Sequence, residues 1–135
     1  IKAIRQVVGR LRMDLAQYRD LAAFAQFSTD LDKATQAQLA RGERMMEILK
    51  QGQHQPLAVE KQVLIIFAGV NGFLEDLPVN VLFRFEKEFF QFMDRRYPGI
   101  CSEIKDQGVI SDQLTTRLNE VIKEFKNDFS ARLKA

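Results

Sequence analysis

Glycine and proline are scarce in this chain and gather at a few points, and the long stretches between them repeat their apolar residues at helical spacing. That pattern is the strongest constraint on the fold. Leu11, Leu15, Tyr18, Ala22 and Ala25 follow at i, i+4, i+7, i+11 and i+14, one stripe of a first helix that should stop near Phe27. Ser28-Thr29-Asp30 then offers start chemistry for a second helix, and Thr29 with Asp32 resembles a capping box with Asp in place of Glu. Leu39, Met46 and Leu49 mark that helix, which should end before Gly52. Pro56 suits the first position of a third helix, where its missing N–H costs nothing. Val59, Val63, Ile66, Phe67 and Val70 would form its buried face, with Gly72 at or near its end.

Pro78 should open a fourth helix through FRFEKEFFQFM. Leu82, Phe85, Phe89, Phe92 and Met93 make one stripe on it, and Phe83, Phe90 and Tyr97 make a second. A helix apolar on two sides is packed on two sides, by its own chain or by a partner; its own chain is the favoured reading. Pro98-Gly99 breaks the pattern, a short helix runs to about Gln107, and Gly108 serves as its C-cap. Ser111 should cap the last helix, whose stripe is Leu114, Leu118, Val121, Phe125 and Phe129. No alternating run bounded by hairpin turns appears. The expected class is all-α, a single helical bundle of five to six helices spanning residues 1–135.

The 135 residues are enough for one domain with its own core. Cys101 is the one cysteine, which excludes an internal disulfide and a cysteine metal cluster. A net charge of +2 gives no ground for nucleic-acid binding. Residues 1–20 are more basic, with Lys2, Arg5, Arg10, Arg12 and Arg19 against Asp14 and Asp20; a solvated helix face accounts for them better than a phosphate tract. No apolar run approaches the length of a membrane span, and no signal peptide is visible. The start at Ile1 suggests a processed protein or a piece of a longer one.

Catalytic constellations are missing. There is no GxxxxGK[ST] loop. Gly69-Val70-Asn71-Gly72 lies at the end of an apolar helix, where close packing explains it. Cys101 and His54 lie in different turn regions, and no third group orients them as nucleophile and base. Metal binding needs converging ligands, and the carboxylates lie among lysines and arginines on helix faces.

DLAQYRDLAAFAQFSTDLD at residues 14–32 closely resembles the C-terminal domain of the ATP synthase alpha subunit, the non-catalytic subunit of the rotary head. The resemblance continues through LARG (39–42), ILKQGQHQP (48–56), FAGVNGFLEDL (67–77), FRFEKEF (83–89) and IKDQGVIS (104–111). It implies an all-helical domain following a P-loop domain on the membrane-facing side of the head, in a peripheral complex at the cytoplasmic face of a bacterial inner membrane or its organelle equivalent. The partners it implies are beta subunits and the central gamma rotor, with no nucleic acid and no direct membrane insertion. The fragment is expected to be no enzyme and to hold no cofactor by itself, with Mg-ATP bound in the intact subunit.

The resemblance also gives a role to the glutamines of KQGQHQP (50–56). It carries contact with the adenine of the non-catalytic nucleotide onto Gln51 and Gln53. An amide offers the donor and the acceptor that adenine needs, and Gly52 lets backbone approach a flat ligand. Without the resemblance, a polar helix end in water explains the same residues. The chain departs from the pattern at His54, where the family often has Tyr, and at Gln55, where it often has Ser or Ala. By the same resemblance, Asp30 and Asp32 in the turn STDLDK (28–33) stand where beta subunits press an acidic loop on the rotor. Carboxylates at a helix start also need no partner. The alternative for the whole chain is a free-standing adaptor that binds a partner helix through its phenylalanine-rich face.

Overall fold

A computed structural model describes residues 2–25, 32–52 and 58–134. Among them stand six α-helices and one 3₁₀ turn: α1 (Lys2–Ala25), α2 (Lys33–Gly52), α3 (Val59–Val70), the 3₁₀ turn (Val79–Val81), α4 (Leu82–Arg96), α5 (Pro98–Gln107) and α6 (Asp112–Lys134). The all-α expectation holds. Ser28, Thr29, Asp30, Gln53, His54, Gln55 and Pro56 lie outside the described residues.

α3 is the central helix because its sequence leaves no polar side: every residue from Val63 to Val70 is buried. α1 and α2 pack against it and against each other, α5 joins it from another side, and α4 bridges to α2, α5 and α6. α1 lies close against α2 because Gly42 carries no side chain; a Cβ there would stand 2.5 Å from Cβ and Cδ1 of Tyr18. Gly69 makes the same room for Met45. These two contacts turn α2 so that Met45 and Ile48 are buried. Leu39 and Met46 are only half-buried and Leu49 is exposed, so the buried stripe is the neighbouring one to that expected.

Helix ends follow local chemistry. α3 closes in a Schellman motif: the Phe73 N–H donates to Ala68 O at 3.1 Å and the Gly72 N–H to Gly69 O at 3.2 Å. Gly72 takes the positive φ of 83° that this requires. Gly108 ends α5 in the left-handed conformation, and Ser111 Oγ accepts from the Leu114 N–H to start α6. Two starts differ from expectation. Ala58, extended, precedes α3 and its carbonyl accepts from Lys61 and Gln62, so the described helix starts at Val59, which is exposed; Pro56, expected to open it, lies outside the described residues. The apolar run that must be covered begins only at Val63, one turn later. Pro78 opens the 3₁₀ turn that leads into α4.

The phenylalanines of α4 turn inward. Phe125 of α6 meets Phe85, Phe89, Phe92 and Phe129 with ring centroids 5.1–5.9 Å apart. All five expected stripe residues of α6 are buried. On the second face of α4, Phe90 and Tyr97 pack against the core and Phe83 stays 49% exposed. The intrachain reading of this helix therefore holds. The start of α1 is tied to the α5–α6 connection: Gly108 O accepts from the Ala3 N–H at 2.7 Å, and the Gln6 amide both accepts from the Ile110 N–H and donates to Ile110 O.

Candidate functional site

The backbone of α2 extends through Gly52, so Gln51 lies in its last turn; Gln53 is outside the described residues. Two arginines fix the helix that carries this end. Arg44 Nε donates to the Leu77 carbonyl at 2.8 Å, and Arg41 pairs with Glu75 at 3.6 Å. Both anchors lie in the connection after α3, where Leu74 and Leu77 are buried. Gln51 follows Arg44 by two helical turns, about 10 Å along the axis. A flat ligand at the end of α2 would therefore meet a helix held by its neighbours. Periodicity does not reveal these anchors. Their only sequence signal is that Arg41, Glu75 and Leu77 fall within the stretches carrying the resemblance, and Arg44 lies outside them.

Asp32 immediately precedes α2 and caps it. Its Oδ1 accepts from the Thr35 N–H at 2.7 Å and its backbone carbonyl from the Gln36 N–H at 3.0 Å. Asp32 is thus the cap residue itself, and not the distal partner of a box begun at Thr29. A capping oxygen accepts from the second or third helical N–H, and in a helix starting at Lys33 the third donor is Thr35. Hydrogen bonds from the Thr35 side chain and backbone hold the Asp32 carboxyl below its usual range. The side chain is exposed, so capping leaves it open to further contact. Asp30 lies outside the described residues.

The remaining candidates have structural uses. Cys101 is buried on α5, with Lys61 Nζ 3.9 Å from its sulfur. Burial pushes the thiol up, and the lysine charge offsets this only in part. That is the reverse of what a nucleophile needs. Lys61 itself pairs with Asp94 and lies over the Phe90 ring. Gly69 and Gly72 serve packing and the helix end, as described. Among the described residues, no three His, Cys, Asp or Glu are grouped to hold a metal ion. No helix among them is long and apolar enough to cross a membrane.

The family model for the ATP synthase alpha/beta chain, C terminal domain, matches residues 1–125. The chain belongs to this family. The match takes in all of α1 to α5 and most of α6. It covers alpha and beta chains together, and so sets the expected helical domain within an ATP synthase subunit without choosing between them.

Proposed function

We propose that the chain is the C-terminal helical domain of an alpha-type, non-catalytic subunit of a proton-translocating rotary ATP synthase. In that reading it follows a P-loop domain, takes part in the membrane-proximal collar around the central rotor, and forms one wall of the adenine pocket of the non-catalytic nucleotide site. The observation that carries the reading is the sequence ILKQGQHQP at the end of an anchored α2, within a chain of this family. Gln51 and Gln53 would contact the adenine edge of Mg-ATP, whose phosphates and metal are held by the upstream domain. The domain supplies no phosphate ligand of its own and catalyses nothing alone. Beta subunits and the gamma rotor are its partners, at a peripheral complex on the cytoplasmic face of a bacterial membrane or its organelle equivalent. Asp30 and Asp32 face the rotor, as a screened surface contact.

The test uses the complete subunit assembled in the head. Gln51→Ala with Gln53→Ala should speed loss of the non-catalytic nucleotide during gel filtration while the catalytic sites stay assembled. Unchanged retention in the double variant would return both glutamines to solvent. A free-standing adaptor has less support, because most of the phenylalanine face it needs is spent on the chain's own core.

A further inference from the structure

The outer side of α1 carries an order that the packing of this chain does not use. Arg5, Arg12 and Arg19 recur every seven residues, which is two turns, so they stand in one row about 10 Å apart. All three are exposed, and among the described residues none has an ion-pair partner. Across the same outer side lie two large apolar side chains left in water, Met13 at 64% and Phe24 at 61% exposure. They are eleven residues apart, three turns, and so also share one line. Between the two lines stand Gly9, with nothing within 4 Å of where a Cβ would be, and the exposed side chains of Ala16 and Asp20. Asp20 is the acid on this face.

We propose that this face docks an acidic amphipathic helix, with carboxylates at seven-residue spacing opposite the arginine row and apolar residues over Met13 and Phe24. The spacing argues for a helix. A row of like charge beside exposed apolar side chains on one helix is a surface that an amphipathic helix can lie along, its charges on one edge and its apolar residues on the other. A polyanion would engage the arginines and leave Met13 and Phe24 in water. A second copy would bring a second row of unpaired arginines to the contact. The proposal stands on α1 alone and is independent of the subunit assignment.

The probe is a fluorescein-labelled synthetic helix roughly six turns long, with Glu at every seventh position and Leu on the adjoining face. Its control carries Gln for Glu. Anisotropy with the 135-residue chain should show the Glu helix binding about tenfold tighter, as three exposed ion pairs allow. The contrast should narrow as salt screens it. Arg5→Gln/Arg12→Gln/Arg19→Gln should abolish the contrast, and Met13→Ala/Phe24→Ala should weaken both helices alike, with circular dichroism unchanged in each variant. Equal affinity for the two helices, or binding indifferent to the arginine variant, overturns the proposal. So does tighter binding to phosphatidylserine vesicles or duplex DNA than to the Glu helix. A dimer of the chain that Met13→Ala/Phe24→Ala dissolves assigns the face to a second copy instead.

Discussion

Gly42 shows how one missing side chain sets an interface. A methyl group there would meet the base of the Tyr18 side chain at 2.5 Å, far inside contact distance. Alanine is the better helix former by about 1 kcal/mol, so helix preference and sterics oppose each other. Sterics should win, because the obstacle is the root of a ring on a neighbouring helix and not a flexible tip. Gly42→Ala is expected to destabilise the chain by about 1–3 kcal/mol, read from a denaturant melt. At Asp32 the deciding quantity is charge. Asn caps almost as well as Asp, so Asp32→Asn should melt close to wild type at neutral pH. The hydrogen bonds from Thr35 lower the native carboxyl, so the cap is at full strength above the ordinary aspartate range. Its contribution is lost as pH falls toward and through the lowered native value. Wild type should therefore lose stability relative to the Asn variant on the acid side alone. A constant difference across pH would mean that Thr35 does not prefer the charged form.

At the scale of elements, α4 and α6 are joined by their aromatic rings. Phe125 is 2% exposed and touches four other phenylalanines, with Phe85 and Phe129 meeting edge to face at 5.2 Å beside it. Phe125→Ala should cost about 3–5 kcal/mol and should splay α6 from α4. Near-ultraviolet circular dichroism should fade while far-ultraviolet signal largely remains. Phe83→Ala, at an exposed ring of the same helix, should change little. The α6 stripe could be read from the sequence because it is one apolar face with no rival, and both apolar faces read on α4 meet the core except at Phe83. α2 could not be read as well: LARGERMMEIL holds two adjacent apolar stripes, and the choice of Met45 and Ile48 over Met46 and Leu49 is made by Gly42 and Gly69. Those glycines act through α1 and α3, across distances that periodicity does not carry. The described part of α3 begins at Val59, one turn before the buried run from Val63, while Pro56, which satisfies the local rule for a first helical residue, lies outside the described residues. The adenine and rotor roles of Gln51, Gln53, Asp30 and Asp32 come from resemblance. The structure adds the anchoring of α2 and the capping by Asp32.

At the scale of the whole molecule, the described helices share a continuous core from α1 to α6, whereas the proposed adenine contacts would make only part of a nucleotide site. The buried residues of α1, α2, α3, α4, α5 and α6 form one apolar cluster, so the chain should fold alone and melt in one cooperative step. A site needs more than a fold. Adenine contacts at Gln51 and Gln53 would supply two neutral hydrogen bonds, on the order of 0.5–1.5 kcal/mol each. A dissociation constant of even 1 mM requires about 4 kcal/mol. Stacking could narrow that difference, but the place where the family often has tyrosine holds His54, and the phosphates find no glycine-rich cradle in this sequence. The 135-residue chain is therefore expected to bind Mg-ATP no more tightly than the millimolar range and to release no phosphate from it. Isothermal calorimetry beside a phosphate-release assay checks both points on one preparation whose melt has shown it folded. Micromolar binding would mean that the domain holds nucleotide by itself, and the glutamines could no longer be one wall of a pocket completed elsewhere. Turnover of ATP would remove the chain from the non-catalytic role altogether.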